Sequence, residues 1–255
     1  MELYELGAVE AARRIREGEI SAEQLTQACL DRIAQLEPQV QAWAFLDSEH
    51  ALKQARAADE ALSAGRPLGA LHGIPVGIKD IFDTHDMPTE NGTVLHAGRR
   101  PSADAHVVSS LREAGAIILG KTVTTELAVY GPGKTRNPHD LERTPGGSSS
   151  GSAAAVAAQM VPLAVGTQTN GSVMRPASYC GVVGFKPSRG LVSRTGVLHL
   201  SSHLDQVGVF ARSIEDAALL ADELMAYDED DMHMQPRARP KLRETALQEP
   251  PLPPE

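Results

Sequence analysis

The sequence predicts an α/β protein in which a layered β-sheet follows an N-terminal layer of helices. Two observations support this prediction. Up to about residue 65 the apolar residues recur at helical spacing, and from Gly73 onward short β-branched runs alternate with further helical stretches. Alternation of this kind is typical of layered α/β sheets and not of barrels built from hairpins. With 255 residues, the chain is long enough to bury a large core.

Three helices are predicted in the N-terminal layer, over Ala8–Glu17, Ala22–Leu36 and Glu49–Ser63. The second begins with a capping box, because Ser21 can accept from the backbone of Gln24 while the Gln24 side chain reaches back. The third is rich in alanine and is followed by glycine and proline, which end helices. No strand is expected in this layer.

The rest of the chain divides into a core and a tail. Strands are predicted over Ile74–Ile78, Ile117–Leu119, Val182–Phe185 and Val207–Phe210, and helices over Ala103–Ala114 and Ile214–Ala226. After Tyr227 the sequence becomes acidic and then rich in proline, with too few apolar residues to pack. We therefore expect a helical layer at 1–65, a core at 66–227 and a linker or disordered tail at 228–255.

Composition excludes several classes of function. The 33 acidic and 24 basic residues give a net charge of −9 without a basic stripe, so no nucleic-acid partner is expected. Cys29 and Cys180 form no CxxC pair, and the nine histidines show no metal-binding spacing, so neither a metal nor another cofactor is predicted. The N-terminus does not resemble a secretory signal, and the longest apolar run is too short for a bilayer. These features predict a cytoplasmic protein without a membrane partner.

The most informative stretch is rich in glycine and serine. It consists of Pro145–Ser152 and Gly166–Ala177, joined by the apolar segment Ala153–Met160, whose small residues favour a helix. Glycines beside serines let backbone N–H groups approach a ligand closely, and the N-terminus of a helix attracts negative charge. The stretch is therefore suited to binding an anion, including an anion that exists only during a reaction.

This stretch resembles the glycine- and serine-rich core of the amidase signature family. That family carries its third catalytic residue in a segment of the form G-[IV]-P-[VI]-x-[IV]-K-[DE], and Gly73–Asp80 fits this pattern. The similarity extends from about Leu25 to Leu224. It implies a mixed β-sheet covered by helices on both faces, and an enzyme that hydrolyses amides.

The resemblance also implies a catalytic triad. Ser172 matches the nucleophile, Lys79 the base, and Ser148 the serine that relays the proton between them. A serine hydroxyl needs a base to become nucleophilic, and a lysine becomes a base when burial favours its neutral form. In the family the relay serine follows a cis peptide bond, which Gly147–Ser148 would carry here.

Further roles follow from the same resemblance. Backbone N–H groups of Thr169, Asn170, Gly171 and Ser172 match the oxyanion hole. Ser149 matches a neighbouring serine that supports the network. Arg175 matches a residue that binds a substrate carboxylate in malonamidase-like members, although a structural arginine paired with an acidic residue is an open alternative. Asn170 departs from the family's usual glycine; we expect it to tolerate a left-handed conformation, with a side chain that obstructs substrate.

Two other motifs point to different chemistry. Gly147–Gly151 satisfies G-x-S-x-G, which would make Ser149 the nucleophile of an α/β-hydrolase. That interpretation needs a strand directly before the motif, whereas the preceding residues form a polar loop between prolines. The sequence Gly133-Lys134-Thr135 is similar to the end of a P-loop, but Ala128 stands where the first glycine is required. We therefore predict neither a hydrolase elbow nor a nucleotide site.

The predicted function is hydrolysis of a small-molecule carboxamide to a carboxylate and ammonia through an acyl-enzyme. The first alternative is the A subunit of a tRNA-dependent amidotransferase, although Val173-Met174-Arg175-Pro176 differs from that subfamily's usual I-R-Q-P. The second alternative is an inactive, truncated amidase-like fragment, because similar enzymes continue well beyond the tail. Association into a homodimer is left open.

Overall fold

A computed structural model describes residues 2–248 of the chain. The helices are α1 (Ala8–Arg16), α2 (Ala22–Val40), α3 (Ser48–Ser63), α4 (His106–Glu113), α5 (Ser150–Ala157), α6 (Met174–Cys180), α7 (Ile214–Leu224) and α8 (Leu242–Ala246). The strands are β1 (Trp43–Leu46), β2 (Pro75–Lys79), β3 (Ile117–Thr122), β4 (Leu163–Gln168), β5 (Val183–Phe185) and β6 (Gln206–Ala211). The predicted α/β class is confirmed.

The strands form one mixed sheet with the order β1-β3-β2-β4-β6-β5. Strand β2 lies at its centre and pairs in parallel with both β3 and β4. The outer pairs are antiparallel, with β1 on β3 at one edge and β6 between β4 and β5 at the other. Every residue of β2 and β3 is buried, which is typical of parallel strands covered on both faces.

The N-terminal layer contains the three predicted helices. Helix α2 begins at the predicted capping box, in which the Ser21 side chain accepts from Gln24 N and the Gln24 side chain accepts from Ser21 N. The layer is not purely helical, because β1 lies between α2 and α3 and joins the sheet. A four-residue strand whose partner lies far along the chain leaves little local signal, so the sequence did not reveal it.

Helix α5 and strand β4 place the glycine- and serine-rich stretch in the core. Helix α5 begins at Ser150, before the predicted start, and its first seven residues are all buried. Strand β4, which follows directly, was not predicted. A short apolar run beside an apolar helix cannot be assigned by periodicity alone.

The described part of the tail packs onto the core, contrary to the expected linker. Asp228 accepts a hydrogen bond from the Ser193 hydroxyl at 2.5 Å, and Asp231 forms an ion pair with Arg194 at 3.3 Å. Helix α8 begins where Asp222 of α7 accepts from the backbone N–H groups of 242 and 243. Polar contacts and the packing of Leu242 against the core therefore hold the described part of the tail, and the remaining residues of the predicted tail, 249–255, lie outside the described range.

No helix within residues 2–248 is both long enough and apolar enough to cross a bilayer.

Candidate active site

The sheet topology brings the predicted catalytic residues to one edge. Lys79 ends β2, and the segment that contains Ser172 follows β4. Because β2 and β4 are neighbouring parallel strands, their carboxyl ends meet at the same edge of the sheet. Ser148 lies in the loop that leads into α5, and its hydroxyl reaches this edge from the side.

Lys79 is completely buried and has two hydroxyl partners. Its Nζ lies 2.7 Å from Ser148 Oγ and 2.9 Å from Thr167 Oγ1. Burial lowers the pKa of Lys79 from 10.5 to about 7, and the charge of Asp205 partly opposes this shift. A large fraction of Lys79 is therefore neutral at pH 7, and the neutral amine can accept a proton.

A second buried lysine differs from Lys79 in its surroundings. Four oxygen atoms lie within hydrogen-bond distance of Lys121 Nζ, the shortest contact being 2.6 Å to Thr89 Oγ1, and the Asp80 carboxylate lies at 3.5 Å. Burial lowers the pKa of Lys121 only to about 8, because Asp80 opposes the shift. These contacts give Lys121 a structural role in holding the loop after β2.

Hydrogen bonds to its backbone carbonyl hold Ser148 in place. The Gly147–Ser148 peptide bond is cis, as the resemblance implied. The Ser148 carbonyl accepts from Thr125 N at 3.1 Å and from Ser150 Oγ at 3.4 Å. With the carbonyl fixed on one side, the hydroxyl is free to contact Lys79 on the other.

Ser149 is fully buried and faces the sheet. Its hydroxyl donates to Thr167 O at 3.2 Å and accepts from Thr167 N at 3.3 Å. Both hydrogen bonds join the start of α5 to the end of β4. A hydroxyl in these contacts is inaccessible to a substrate, and no strand precedes the motif between residues 136 and 145. The hydrolase-elbow interpretation is therefore excluded.

Ser148 and Ser172 line the same cavity, which has a volume of about 350 Å³. The turn that carries Ser172 is fixed by Gln168, whose side-chain oxygen accepts from Val173 N and Met174 N at 2.9 and 3.0 Å. Within residues 2–248 no acceptor contacts the N–H groups of the four predicted oxyanion donors, which are Thr169, Asn170, Gly171 and Ser172. These backbone donors are thus available to a ligand.

Arg175 joins the loop that carries Ser148 to the segment that carries Ser172. Its guanidinium donates to Asn170 O at 2.9 Å and to Gly147 O at 3.4 Å, and it also lines the cavity. Within residues 2–248 its partners are backbone carbonyls and no carboxylate pairs with it, which does not favour the alternative of a structural ion pair. The arginine connects the cis peptide before Ser148 with the segment before Ser172.

The left-handed conformation in this segment lies at Gly171, with φ of 91°, and not at Asn170 as expected. Glycine adopts this conformation without a steric cost. Asn170 is exposed, and its side-chain amide donates to the Tyr130 hydroxyl at 3.2 Å. The side chains of Asn170 and Tyr130 both line the cavity, so Asn170 lies where its side chain was expected to obstruct a substrate.

Three residues that contact this centre have no role predicted by a motif. Thr167 is the second partner of the Lys79 amine, and Tyr130 contacts Asn170. Asp205 accepts a short hydrogen bond from the Thr169 hydroxyl. Thr167 belongs to the glycine- and serine-rich stretch, which could have drawn attention to it. Asp205 has no such signal, because the pairing of β4 with β6 brings it to Thr169.

Two other candidate sites are excluded by their surroundings. His85, Asp86 and Asp104 lie close enough together to hold a metal ion, but Arg112 forms ion pairs with both carboxylates at 2.7 and 2.9 Å. A guanidinium in this position opposes a cation. The segment 133–135 lies in a loop that no helix follows, so it lacks the geometry of a P-loop.

Known proteins share this fold. A family model described as Amidase matches residues 24–251. The chain is 50% identical to the A subunit of glutamyl-tRNA(Gln) amidotransferase from Acidothermus cellulolyticus over 232 residues, which are 88% of this chain and 46% of that protein. The corresponding protein of Thermobifida fusca is 47% identical and matches 90% of this chain and 47% of its own length. The chain thus spans about half the length of these curated relatives.

Solved structures of amidases share this fold. The native peptide amidase from Stenotrophomonas maltophilia superposes with a TM-score of 0.86 at 40% identity, covering 92% of this chain and 51% of that one. The 6-aminohexanoate cyclic dimer hydrolase in complex with substrate gives 0.87 at 32% identity, covering 98% and 52%. These neighbours place the chain in the class of α/β proteins with an amidase fold. The family model covers most of the sequence, and the chain belongs to the amidase family.

Proposed function

We propose that this chain carries the catalytic centre of an amidase that converts a small carboxamide to a carboxylate and ammonia. The observation that carries the proposal is the completely buried Lys79, whose amine lies 2.7 Å from Ser148 Oγ behind the cavity that Ser172 lines. A buried lysine whose hydrogen-bond partners are neutral hydroxyls is costly to a fold, and a catalytic base is a reason to retain it.

In the proposed reaction, the Ser172 hydroxyl attacks the amide carbonyl while its proton passes to Ser148, whose own proton passes to the neutral Lys79 amine. The N–H groups of Gly171 and Ser172 bind the negative oxygen of the tetrahedral intermediate. The proton then returns to the leaving nitrogen, and ammonia departs from an acyl-enzyme. Water attacks the acyl-enzyme by the same route and releases the carboxylate.

Under this proposal Ser149 and Arg175 hold the loops that present the reacting groups. Arg175 also lines the cavity, so we include contact between Arg175 and a substrate carboxylate in the proposal. Its existing hydrogen bonds to Asn170 O and Gly147 O occupy part of the guanidinium. We therefore expect Arg175 to contribute more to loop geometry than to recognition of a carboxylate.

The second candidate function is that of the A subunit of a tRNA-dependent amidotransferase, in which the same chemistry releases ammonia for a partner protein. The identities of 50% and 47% to curated proteins of this name favour it. Ammonia release from glutamine that increases when the other subunits and charged tRNA are added would support this candidate. Release from small amides without any partner would support the first.

The test of the shared chemistry is covalent labelling with a fluorophosphonate, followed by mass spectrometry to locate the modified residue. We expect labelling at Ser172 and none in Ser172→Ala. Ser178→Ala, which removes an exposed serine in α6, is the matched control and should label like the parent. Full labelling of Ser172→Ala, or labelling at Ser149, would overturn the assignment. Ammonia release from a panel of mono- and diamides then identifies the substrate.

A further inference from the structure

Asp205 is a buried acidic residue that the proposed reaction does not use. Only 8% of its surface is exposed, and it lies directly before β6. Three donors converge on its carboxylate. The Thr169 hydroxyl donates to Oδ1, and the N–H groups of Leu200 and Ser201 donate to Oδ2 at 2.7 Å each. Such convergence of donors on both oxygens suits a carboxylate anion.

These three contacts join two walls of the cavity. Thr169 begins the segment that contains the oxyanion donors and Ser172, and Leu200 also belongs to the cavity lining. The register of β4 and β6 pairs Gln168 with Gln206, so the next position along each strand brings Thr169 beside Asp205. The Asp205 carboxylate therefore fixes the oxyanion segment, through Thr169, to the loop that contains Leu200 and Ser201. This loop belongs to neither β4 nor β6.

The charges around this group come from several elements. Among the described residues, Asp205 is the acidic group whose charge raises the pKa of Lys79 against the effect of burial. The hydrogen-bond partners of the Lys79 amine are the neutral hydroxyls of Ser148 and Thr167. On its other side Asp205 meets Arg194, which donates to the Asp205 carbonyl at 3.4 Å and is paired with Asp231. Asp205 and His199 both line a second, smaller cavity on this side.

We propose that Asp205 is a positioning residue for the reaction at Ser172, which aligns the oxyanion segment through Thr169 and places a buried negative charge in the cavity that it lines together with Thr167, a partner of the Lys79 amine. It contacts neither substrate nor the reacting atoms. This role rests on the proposed function, because it assumes that Ser172 is the nucleophile and Lys79 its base. It requires both a hydrogen-bond acceptor and a negative charge at position 205.

The experiment separates these two requirements. The rate constant for fluorophosphonate labelling is measured from pH 5 to pH 10 for the parent and for Asp205→Asn, Thr169→Val and Asp59→Asn. Asp59 is the matched control, because its carboxylate also accepts two backbone N–H groups, from Ala22 and Glu23, but caps α2. Melting temperatures of all variants are recorded alongside.

Removing the charge at 205 lets burial lower the pKa of Lys79 further, so the rise of the rate with pH should move to lower pH in Asp205→Asn. Its plateau at high pH should fall about tenfold or more, because the oxyanion donors lose their alignment. Thr169→Val should lower the plateau without moving the inflection, since it removes a contact and leaves the charge. Asp59→Asn should change neither quantity.

A rate profile for Asp205→Asn with the parent's plateau and inflection would overturn the proposal, as would an equal displacement in Thr169→Val. The lysine side-chain ¹³Cε signal, titrated by NMR in the parent and in Asp205→Asn, provides a readout that needs no activity. If no protein labels but the Lys79 titration still moves to lower pH, the proposed function fails and the electrostatic role of Asp205 stands. An unmoved titration in a folded variant refutes that role.

Discussion

At the scale of single residues, Lys79 shows how function opposes stability. The unfolded chain keeps a lysine proton up to about pH 10, whereas burial lowers the native pKa of Lys79 to about 7. Between these pH values the unfolded state binds more protons, so this group makes the free energy of unfolding rise with pH. Near and below pH 7 the fold bears the full cost of burying the amine.

Lys79→Met should therefore stabilise the fold while abolishing labelling. We expect a gain of roughly 2 kcal/mol in the free energy of unfolding at pH 7, after allowing for the two lost hydrogen bonds to Ser148 and Thr167. The gain should disappear toward pH 10, where the parent's lysine is neutral in the native state and begins to lose its proton in the unfolded state. Urea unfolding at both pH values measures it, and Lys53→Met, at an exposed position in α3, is the control. A destabilised Lys79→Met at pH 7 would contradict this account.

The side chain of Asn170 gives a second residue-scale prediction. It lies in the cavity wall and its amide bonds to the Tyr130 hydroxyl at 3.2 Å. Asn170→Gly removes this obstruction without disturbing the left-handed Gly171, so we expect kcat/KM for small amides to rise about tenfold, equivalent to about 1.4 kcal/mol. Tyr130→Phe, which keeps the ring and removes the hydrogen bond, tests whether the tether holds the amide there. If the glycine variant is slower on every amide, Asn170 is a catalytic donor.

The residues whose roles were predicted lie in contiguous sequence motifs. The residues whose roles were missed act through contacts between segments that are distant in the sequence. The positions of Lys79, Ser148 and Ser172 come from three local patterns. The Lys79 amine then contacts the Ser148 hydroxyl, and Ser148 and Ser172 line one cavity, only because β2, α5 and β4 are neighbours. Asp205 belongs to no motif, so its hydrogen bond to Thr169 could not be inferred from the sequence.

Among the secondary-structure elements, those marked by a local sequence signal were predicted and those that depend on distant contacts were missed. The capping box that begins α2 is local, and the sequence predicted it correctly. Strand β1 has four residues and depends on β3, far along the chain, so nothing local marks it. The tail at 228–248 was expected to lack structure, but its carboxylates meet Ser193 and Arg194, and a hydrophobicity pattern cannot reveal such polar contacts.

The first turn of α5 packs against backbone, which predicts a strict need for glycine at position 151. The N–H of Gly151 donates to Val123 O at 2.9 Å, and a Cβ added there would lie 2.2 Å from Ala42 O and 2.3 Å from Val123 N. Since backbone atoms cannot rotate away, Gly151→Ala should cost roughly 3 kcal/mol or more. Gly131→Ala, where nothing lies within 4 Å of the added Cβ, is the matched control.

Urea unfolding measures both glycine variants. Because α5 presents Ser148 to Lys79, Gly151→Ala should also reduce labelling of Ser172 in the fraction that remains folded. A variant with parental stability would show that α5 can shift away from β3 at little cost, and that the site tolerates this shift.

At the scale of the whole molecule, the cavity opens onto an apolar surface. Four large apolar or aromatic side chains line the cavity and are each at least 42% exposed: Val129, Tyr130, Tyr179 and Leu200. Large apolar side chains grouped at the mouth of a pocket are unusual on a monomer and mark surfaces that bind other molecules. An apolar mouth of this kind should promote contact between copies of the chain.

We predict that the weight-average mass in sedimentation equilibrium rises with concentration from that of a monomer toward that of a dimer. The double variant Tyr130→Ser/Leu200→Ser should remain monomeric, because it removes apolar area from the mouth without altering a buried residue. Met232→Ser/Leu247→Ser, which removes exposed apolar residues outside the cavity lining, is the control and should associate like the parent. Equal association in both double variants would place the contact elsewhere, for example at the β1 or β5 edge of the sheet. A parent that stays monomeric at every concentration would show that the apolar mouth does not drive association.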